Sequence, residues 1–291
     1  MIFVAEDWYD YELIDAGGGE RLERWGQVVL RRPDPQIIWP LTEETELWRK
    51  VSARYHRSSS GGGHWEYKTK LPERWTIGYR DLKFYIHPTN FKHTGLFPEQ
   101  AANWSWMMDK IRSAGRPIRV LNLFAYTGGA TVAAASAGAE VCHVDAAKGM
   151  VQWAKENLAL SGLSEKPVRF ITDDVIKFVQ REQRRGSKYD GIIMDPPSYG
   201  RGTGGQVWKL EESLYPLVEL CTTILSDQPL FFLINSYTTG ISSTVLSNII
   251  ELTVGKRHAG RITNGEIGLP ITQKNMVLPA GILCRWEEDD A

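Results

Sequence analysis

A strand, a glycine-rich turn, a helix of small residues and a second strand follow one another between residues 118 and 145. The turn contains Gly128 and Gly129, and the second strand ends just before Asp145, 17 residues after Gly128. Such a βαβ unit needs a parallel sheet with a helix packed on it. In a chain of 291 residues this unit predicts an α/β fold with a large buried core.

The same unit predicts a binding site for an adenosine-like ligand. Gly128 and Gly129 allow the backbone to turn tightly and to approach a ligand, and the helix that follows directs its first N–H groups toward it. Asp145 lies near the spacing at which an acid meets ribose hydroxyls. The spacing G-x-G-x-x-G is missing between Ala125 and Ala130. Its absence favours a ligand without a pyrophosphate over a dinucleotide.

A third apolar strand ends in a polar elbow with the sequence Asp195-Pro196-Pro197-Ser-Tyr199. Two consecutive prolines restrict the backbone and remove two N–H donors. The Asp195 carboxylate and the Pro196 carbonyl can therefore both accept hydrogen bonds from an amino or ring-nitrogen group, and Tyr199 can stack on a planar base. The alternative is a turn that only ends the strand.

The chain changes character near residue 115. Before it lie short β-like segments and eight of the eleven tryptophans, and after it strands and helices alternate. We predict a β-rich substrate-recognition domain over residues 1–110 and a doubly wound, mainly parallel α/β domain over residues 111–291. The predicted helices are 148–161, 175–185, 209–225 and 243–254, the predicted strands between them are 168–172, 189–194 and 230–235, and a C-terminal hairpin (256–262 with 276–285) is expected at the sheet edge.

Composition favours an intracellular enzyme. The chain is 42% hydrophobic and 24% charged, which is ordinary for a globular protein. It has no 18-residue apolar run and no basic, apolar leader, so we expect neither a membrane span nor a signal peptide. Cys142, Cys221 and Cys284 are widely spaced in apolar surroundings and are expected to be reduced core thiols of a cytoplasmic protein. The six histidines are scattered, so no metal site is expected.

Charge is divided unevenly within the N-terminal part. Residues 1–48 carry 4 Lys/Arg and 11 Asp/Glu, whereas residues 49–92 carry 10 Lys/Arg and 3 Asp/Glu. The basic segment also contains aromatic residues, so it can hold phosphates and stack on unpaired bases. The alternative is that the two segments pair with each other inside one domain, since the net charge of the chain is only −1.

Six motifs occur in a fixed order: Thr94–Gln100, Leu121–Gly129, Val144-Asp145, Trp153–Asn157, Asp173-Asp174 and Asp195–Gly202. This order resembles the class I S-adenosylmethionine-dependent methyltransferases. More narrowly, it is similar to the bacterial family that includes the large-subunit rRNA cytosine-5 methyltransferases. The resemblance covers about residues 75–287.

The resemblance implies a Rossmann-like, seven-stranded sheet whose last strand is antiparallel, with S-adenosyl-L-methionine as cofactor and S-adenosyl-L-homocysteine as product. It implies that Asp145 binds the ribose and that Asp174 with Val175 contacts the adenine. Asp173 is expected to be a solvent-facing neighbour or a helix cap, Asn157 to be structural, and His143 to be a satisfied strand residue. The implied cofactor-binding residues are Gly95, Phe97, Gln100, Asn122, Phe124, Ala125, Tyr126, Thr127, Gly128, Asp145, Ala146, Asp174, Val175 and Asp195. The implied catalytic residues are Asp195, Pro196, Pro197 and Tyr199.

The sequence departs from that narrower family in three places. Where the relatives often carry Asp-Gln-Arg after the Gly-x-Phe, this chain has Glu99-Gln100-Ala101. Cytosine-5 transfer needs a cysteine nucleophile, and in the relatives it follows the strand after Asp-Pro-Pro. Here the equivalent stretch, Leu233–Thr239, has no cysteine. The N-terminal RNA-docking domain of these relatives is also not recognisable in residues 1–70. The departures favour direct methyl transfer over transfer through a covalent cysteine adduct.

Three functions remain open from the sequence. The first is methylation of a nucleobase in RNA, with rRNA as the expected partner, which the basic aromatic segment and the Asp195 elbow favour. The second is methylation of a small molecule or a protein, which the near-zero net charge favours. The third is a non-catalytic nucleotide-binding module or a nicotinamide enzyme, which the glycine spacing disfavours. The sequence leaves the acceptor atom and the oligomeric state open.

Overall fold

The computed structural model describes residues 1–58, 62–201 and 207–289, with Arg201 described by its backbone only. The chain divides into two compact units. The first, here called the α/β unit, consists of Met1–Phe3, Asn103–Ile267 and the chain from Gly281 onward. The second, here called the β-rich unit, consists of Val4–Ala102 and Gly268–Ala280.

The N-terminal part of the chain is built mainly from strands. These are β1 (Ile2–Val4), β2 (Tyr11–Gly17), β3 (Glu20–Trp25), β4 (Val28–Pro33), β5 (Ala53–Arg57), β6 (Gly63–Tyr67), β7 (Trp75–Tyr79) and β8 (Leu82–Ile86). Helix α1 (Glu46–Arg49) lies between β4 and β5, and a 3₁₀ turn, Pro98–Gln100, precedes helix α2 (Ala101–Ser113).

Strands and helices alternate in the rest of the chain, as the sequence predicts. The strands are β9 (Arg119–Leu123), β10 (Glu140–Asp145), β11 (Val168–Thr172), β12 (Gly191–Met194), β13 (Tyr199–Arg201), β14 (Val207–Lys209), β15 (Phe231–Ser236), β16 (Arg261–Ile271) and β17 (Met276–Glu287). The helices are α3 (Gly129–Ser136), α4 (Lys148–Leu160), α5 (Val175–Arg185), α6 (Leu210–Thr222) and α7 (Ser243–Ile250), which a π-helical turn, Glu251–Gly255, continues.

Seven strands of the α/β unit are paired in the order β11-β10-β9-β12-β15-β17-β16, and β1 pairs with β16 off this path. The pairs from β11 to β15 are parallel, and β17 is antiparallel to β15. The order reverses between β9 and β12, which is where α/β sheets of this kind bind ligands. The predicted Rossmann-like sheet with an antiparallel last strand is therefore confirmed.

The predicted position of the C-terminal hairpin at the sheet edge is wrong. Strands β16 and β17 do form a hairpin, but neither is an edge strand: β17 lies between β15 and β16, and Ile271 of β16 is paired with Leu13 of β2. The last five residues of β17 are all buried. A strand covered on both faces and both edges lacks the alternation of polar and apolar residues that an exposed strand shows, so local pattern could not place it.

The centre of the sheet is buried on both faces. All four residues of β12 and all six of β15 are buried. Gly191 stands opposite Phe231 in the paired register, and a Cβ at residue 191 would lie 2.5 Å from the Phe231 ring. A glycine is therefore needed there to fit the ring. This dense packing supports the ends of β9, β12 and β15, where the polar residues lie.

Strands β2 to β6 form the sheet of the β-rich unit, and β7 with β8 forms a separate hairpin. Ion pairs inside this unit join the basic and acidic segments of the sequence: Arg49–Glu44, Lys50–Glu46, Arg54–Glu20 and Arg80–Asp7. Four of the ten basic residues in segment 49–92 thus pair with the acidic segment 1–48, as the alternative interpretation of the charge pattern predicts. Arg57, Lys70 and Lys83 have exposed side chains.

Candidate active site

Three parallel strands of the α/β sheet have their carboxyl ends side by side, and each is followed by a predicted site residue. Leu123 of β9 is paired with Val144 of β10 and with Met194 of β12. The next residues along these strands are Phe124, Asp145 and Asp195. The paired register therefore brings the predicted cofactor loop, the ribose carboxylate and the Asp-Pro-Pro elbow to the same end of the sheet.

The loop after β9 has an unusual backbone. Phe124, Tyr126 and Gly128 all have positive φ, of 54°, 51° and 83°. Aromatic residues rarely adopt this left-handed conformation, which costs about 1–3 kcal/mol and persists only where surrounding contacts enforce it. Here the enforcing bonds include Ala125 N–H to the Val144 carbonyl (3.1 Å) and Gly128 N–H to the Ala125 carbonyl (3.0 Å). Strain of this kind concentrates at ligand sites.

Asp145 is tied to the same loop. Its Oδ2 accepts from the Tyr126 N–H at 2.9 Å, and its Oδ1 accepts from the Ala147 N–H at 2.8 Å. Partial burial raises the pKa of Asp145, and these two backbone donors oppose that rise. The carboxylate is thus oriented by two backbone donors, and Ala146 next to it is exposed.

Buried polar side chains of β9, β10 and α4 form hydrogen bonds beneath the surface next to the loop. Asn122 Nδ2 donates to Thr131 Oγ1 (2.9 Å), which is also 2.9 Å from His143 Nδ1. Asn157 Nδ2 donates to the Thr127 carbonyl at 2.9 Å. The structural role predicted for Asn157 is therefore confirmed, and the predicted cofactor residue Asn122 is buried in this network. His143 is fully buried with only Nδ1 bonded, and its burial lowers its pKa to about 3.

The two glycines of the turn serve different purposes. Gly128 has φ +83°, and a Cβ there would lie 2.8 Å from the Ala154 Cβ of α4. Gly129 begins α3, and a Cβ there would lie 2.5 Å from the Trp104 ring of α2. The close approach that requires Gly129 is therefore to a side chain of the protein itself and not to a ligand.

Asp173 and Asp174 differ from the prediction in one respect. The N-cap of α5 is Asp174, whose side chain accepts from the Lys177 N–H at 3.0 Å. Asp173 accepts from the Asp174 N–H and pairs with Arg181. Of the two roles expected for Asp173, the helix cap belongs instead to Asp174, because the helix begins at Val175, and Asp173 is the partly exposed neighbour. Val175 is 5% exposed, and its neighbour Asp174 is half-buried.

The Asp195 elbow is held by side chains of two other strands, Asn235 of β15 and Trp208 of β14. Met194 is paired with Ile234 of β15, so Asn235 lies beside Asp195, and Asn235 Nδ2 is 3.4 Å from Asp195 Oδ1. Pro196 is buried and Pro197 is exposed. The Pro197 carbonyl accepts from Trp208 Nε1 at 2.6 Å, whose ring centroid is 5.0 Å from that of Phe124.

Tyr199 lies at the start of a short antiparallel pair, β13 with β14, and its side chain is 53% exposed. Ser198 Oγ before it is 2.7 Å from Thr238 Oγ1. Gly202, at the end of the motif, lies outside the described residues. An aromatic ring that is half open to solvent is of the kind that can stack on a planar group.

The predicted residues Gly95, Phe97 and Gln100 belong to the β-rich unit. Gly95 is buried with φ +95°, and the Phe97 ring packs against His93 with centroids 5.2 Å apart. Gln100 ends the 3₁₀ turn, and its N–H donates to the Phe97 carbonyl. The other predicted site residues, from Asn122 to Tyr199, all belong to the α/β unit.

Two site residues were missed from the sequence. Asn235 belongs to none of the six motifs, although a polar residue at the end of a buried strand beside the Asp195 strand is a usable signal. Trp208 follows the undescribed residues 202–206, and no sequence motif predicts its hydrogen bond to the Pro197 carbonyl.

Among the described residues there is no cluster of three His, Cys, Asp or Glu side chains that could hold a metal ion. None of the helices described is both long and apolar enough to span a bilayer.

Comparison with known proteins gives a family match and a highly similar solved structure. A family model described as S-adenosylmethionine-dependent methyltransferase matches residues 36–235, a range that includes every predicted site residue. The crystal structure of a SAM-dependent methyltransferase from Agrobacterium tumefaciens is 38% identical, with a TM-score of 0.93, and the match covers 99% of this chain and 93% of that one.

Two curated relatives are named for ribosomal RNA. The ribosomal RNA large subunit methyltransferase K of Neisseria meningitidis serogroup B is 25% identical over 240 residues, which is 79% of this chain and 65% of that protein. The ribosomal RNA large subunit methyltransferase K/L of Syntrophotalea carbinolica is 32% identical over 150 residues, 51% of this chain and 20% of that protein. The chain thus spans less than two thirds of the length of each.

Proposed function

Because the chain belongs to the family of S-adenosylmethionine-dependent methyltransferases, we propose that it methylates a nucleobase of RNA, with ribosomal RNA as the substrate class. The observation that carries this proposal is the position of Asp195. It follows β12, which is paired with the strand that carries the cofactor loop. A hydrogen-bond acceptor at this place can orient a base amino or ring N–H group.

The cofactor site is proposed on the loop after β9. S-adenosyl-L-methionine, when bound, supplies an electrophilic methyl group and leaves as S-adenosyl-L-homocysteine. The left-handed backbone at Phe124 and Tyr126 and the acid Asp145 fit a ligand that has an amino-acid end and a ribose but no phosphate. We place the ribose hydroxyls at Asp145 and the adenine near Asp174 and Val175.

The substrate site is proposed on the elbow. Asp195 accepts from the base, the Pro196 carbonyl is a second acceptor, and Pro197 helps to restrict the loop. Tyr199 stacks on the base, which must be unpaired to reach the site. Transfer is direct, because the stretch Leu233–Thr239 contains no cysteine to form a covalent adduct.

The β-rich unit supplies a second argument for RNA. Tyr67 is 55% exposed and Phe91 is 62% exposed, and both lie in the basic segment. Tyr67 and the exposed Lys70 line one open surface groove, which Glu73 also lines. Exposed aromatic rings next to cations fit unpaired bases and their phosphates.

We test the proposal by methyl transfer from radiolabelled S-adenosylmethionine to rRNA, to total protein and to a small-molecule extract. We expect label in rRNA with the wild-type enzyme. Asp195→Ala should abolish transfer, since the acceptor for the base is lost, while S-adenosylhomocysteine binding stays within about tenfold, since Asp145 and the loop after β9 are unchanged. Label in protein or in the small-molecule extract alone would instead support the second function left open by the sequence. An active Asp195→Ala enzyme would refute the role of Asp195.

A cytoplasmic location also belongs to this proposal. Cys142, Cys221 and Cys284 are all free and buried, and burial raises the pKa of Cys142 to about 11 and that of Cys284 to about 12. Unpaired, protonated thiols of this kind fit a reducing compartment.

A further inference from the structure

A line of buried side chains leads from Arg285 to Asp195 inside the α/β unit. Arg285 lies on β17, Asn103 on α2 and Asn235 on β15, and they are 7%, 1% and 2% exposed. The Arg285 Nε and Nη2 atoms lie 3.2 and 2.8 Å from Asn103 Oδ1. Asn103 Nδ2 is 3.5 Å from Asn235 Oδ1, and Asn235 Nδ2 is 3.4 Å from Asp195 Oδ1. We call these four residues the amide relay.

Arg285 determines the direction of the amide relay. A guanidinium group has five N–H donors and no acceptor, so the amide that meets it must present its oxygen. Asn103 therefore turns its Nδ2 toward Asn235, which in turn must present its own oxygen to Asn103. The atom of Asn235 that faces Asp195 is consequently Nδ2. It is a donor, and the Asp195 carboxylate can accept a hydrogen bond from it.

Arg285 is itself held between two aromatic rings. Its guanidinium carbon is 4.5 Å from the centroid of the Phe3 ring and 4.7 Å from that of Trp106. Burial lowers the pKa of Arg285 to about 10, so the side chain stays charged at neutral pH. Burying a cation is costly, and apolar residues of similar volume often stabilise a core at least as well. The relay is therefore better explained by a directional role at the site than by packing alone.

We propose that Arg285 and Asn103 are positioning residues for methyl transfer. Acting through Asn235, they hold the Asp195 carboxylate in the orientation in which it accepts a hydrogen bond from the substrate base. The role of Asp195 in this statement rests on the function proposed above, whereas the relay itself rests on the geometry of the α/β unit. Neither positioning residue touches the reacting atoms.

Asn103→Asp is the discriminating substitution. The new carboxylate still accepts from Arg285, so the fold and the arginine contact are retained, but it has no N–H to donate to Asn235. We expect kcat to fall about 10- to 100-fold, since small misplacements of a reacting group have effects of this size. The KM for RNA and the Kd for S-adenosylhomocysteine should stay within about threefold, because no binding contact is removed.

Asn264→Asp is the matched control. Asn264 lies on β16, and its Oδ1 accepts from Ser243 Oγ at 2.9 Å, a bond that an aspartate keeps. The Asn264→Asp substitution introduces the same charge as Asn103→Asp without contacting the amide relay, and it should leave kcat unchanged. If Asn103 served only to support the fold, a folded Asn103→Asp enzyme would keep the wild-type kcat. That result would overturn the proposal.

A crystal structure of the Asn103→Asp protein provides a readout that needs no activity. We expect the Asn235 amide to turn over and its contact with Asp195 Oδ1 to be lost. An unchanged contact would overturn the amide relay even if the enzyme methylates RNA. If the wild-type enzyme transfers no methyl group to RNA, the proposed function fails, but the crystal structure still decides whether Asn103 and Arg285 orient Asp195.

Discussion

At the scale of single residues, the site depends on acceptors that are oriented before any ligand arrives. Asp145 is held by two backbone N–H groups, and Asp195 is held by the Asn235 amide. Fixing a polar group in advance reduces the entropy lost when a ligand binds or reacts. The two carboxylates therefore give separate, testable contributions, one to cofactor binding and one to transfer.

Asp145→Ala should weaken S-adenosylhomocysteine binding without preventing folding. It removes the carboxylate that we place at the ribose and also frees the Tyr126 N–H. Hydrogen bonds to a charged group contribute about 1.5–3 kcal/mol, so we expect Kd to rise about 10- to 100-fold in titration calorimetry. Asp173→Ala is the control, because Asp173 contacts the start of α5 and Arg181. Equal affinities for both variants would contradict the role of Asp145.

His143 should make the fold sensitive to acid. Burial keeps its folded-state pKa near 3, below the ordinary value of 6.5, so between these pH values the unfolded chain binds a proton that the folded chain does not. Folding stability attributable to His143 is therefore complete above about pH 6.5 and is lost as the pH falls toward 3.

The measurement is urea unfolding of wild type and His143→Gln at pH 7 and pH 5. The free energy of unfolding of the wild type should fall more steeply, by up to about 1.4 kcal/mol for each pH unit below 6.5. Parallel pH dependences of the two proteins would show that His143 accepts a proton in the folded state.

At the scale of elements, the sequence predicts most of the α/β unit because strong local patterns coincide with its topology. The helix from Val175 to Arg185 and the strand from Val168 to Thr172 are confirmed at both ends. The hairpin β16–β17 was misplaced because its position depends on contacts between distant parts of the chain. The positions of the candidate site residues were predictable where motifs follow strands, as at Asp145. They were not predictable where a partner such as Trp208 comes from another element.

The start of α3 gives a prediction at this scale. Alanine normally stabilises a helix relative to glycine by about 0.5–1 kcal/mol. At residue 129 a Cβ would lie 2.5 Å from the Trp104 ring, so Gly129→Ala should destabilise the fold instead. Gly149→Ala in α4 is the control, because a Cβ there has nothing within 4 Å and should stabilise. Chemical denaturation measures both, and a stabilised Gly129→Ala would contradict the packing described for α3.

At the scale of the whole molecule, the net charge of −1 does not indicate RNA binding. Binding through a local basic surface should instead be detected as an affinity for RNA that falls with rising salt concentration. Lys70→Gln should reduce the slope of log affinity against log salt by about 1, since one phosphate contact is lost. Tyr67→Ala should lower affinity and keep the slope, because stacking releases no counterions. Lys50, which is paired with Glu46, is the control, and Lys50→Gln should leave the slope unchanged. The same slope for all three variants would place the RNA elsewhere on the protein.

Methylation of an RNA base by this enzyme can be measured by mass spectrometry of nucleosides from rRNA and tRNA in a strain that lacks this gene. We expect one methylated base to disappear from rRNA, and to return when the wild-type gene is restored but not when Asp195→Ala is. The mass and retention of the missing nucleoside would also identify the acceptor atom. An unchanged set of methylated bases in both RNA classes would contradict the proposed function.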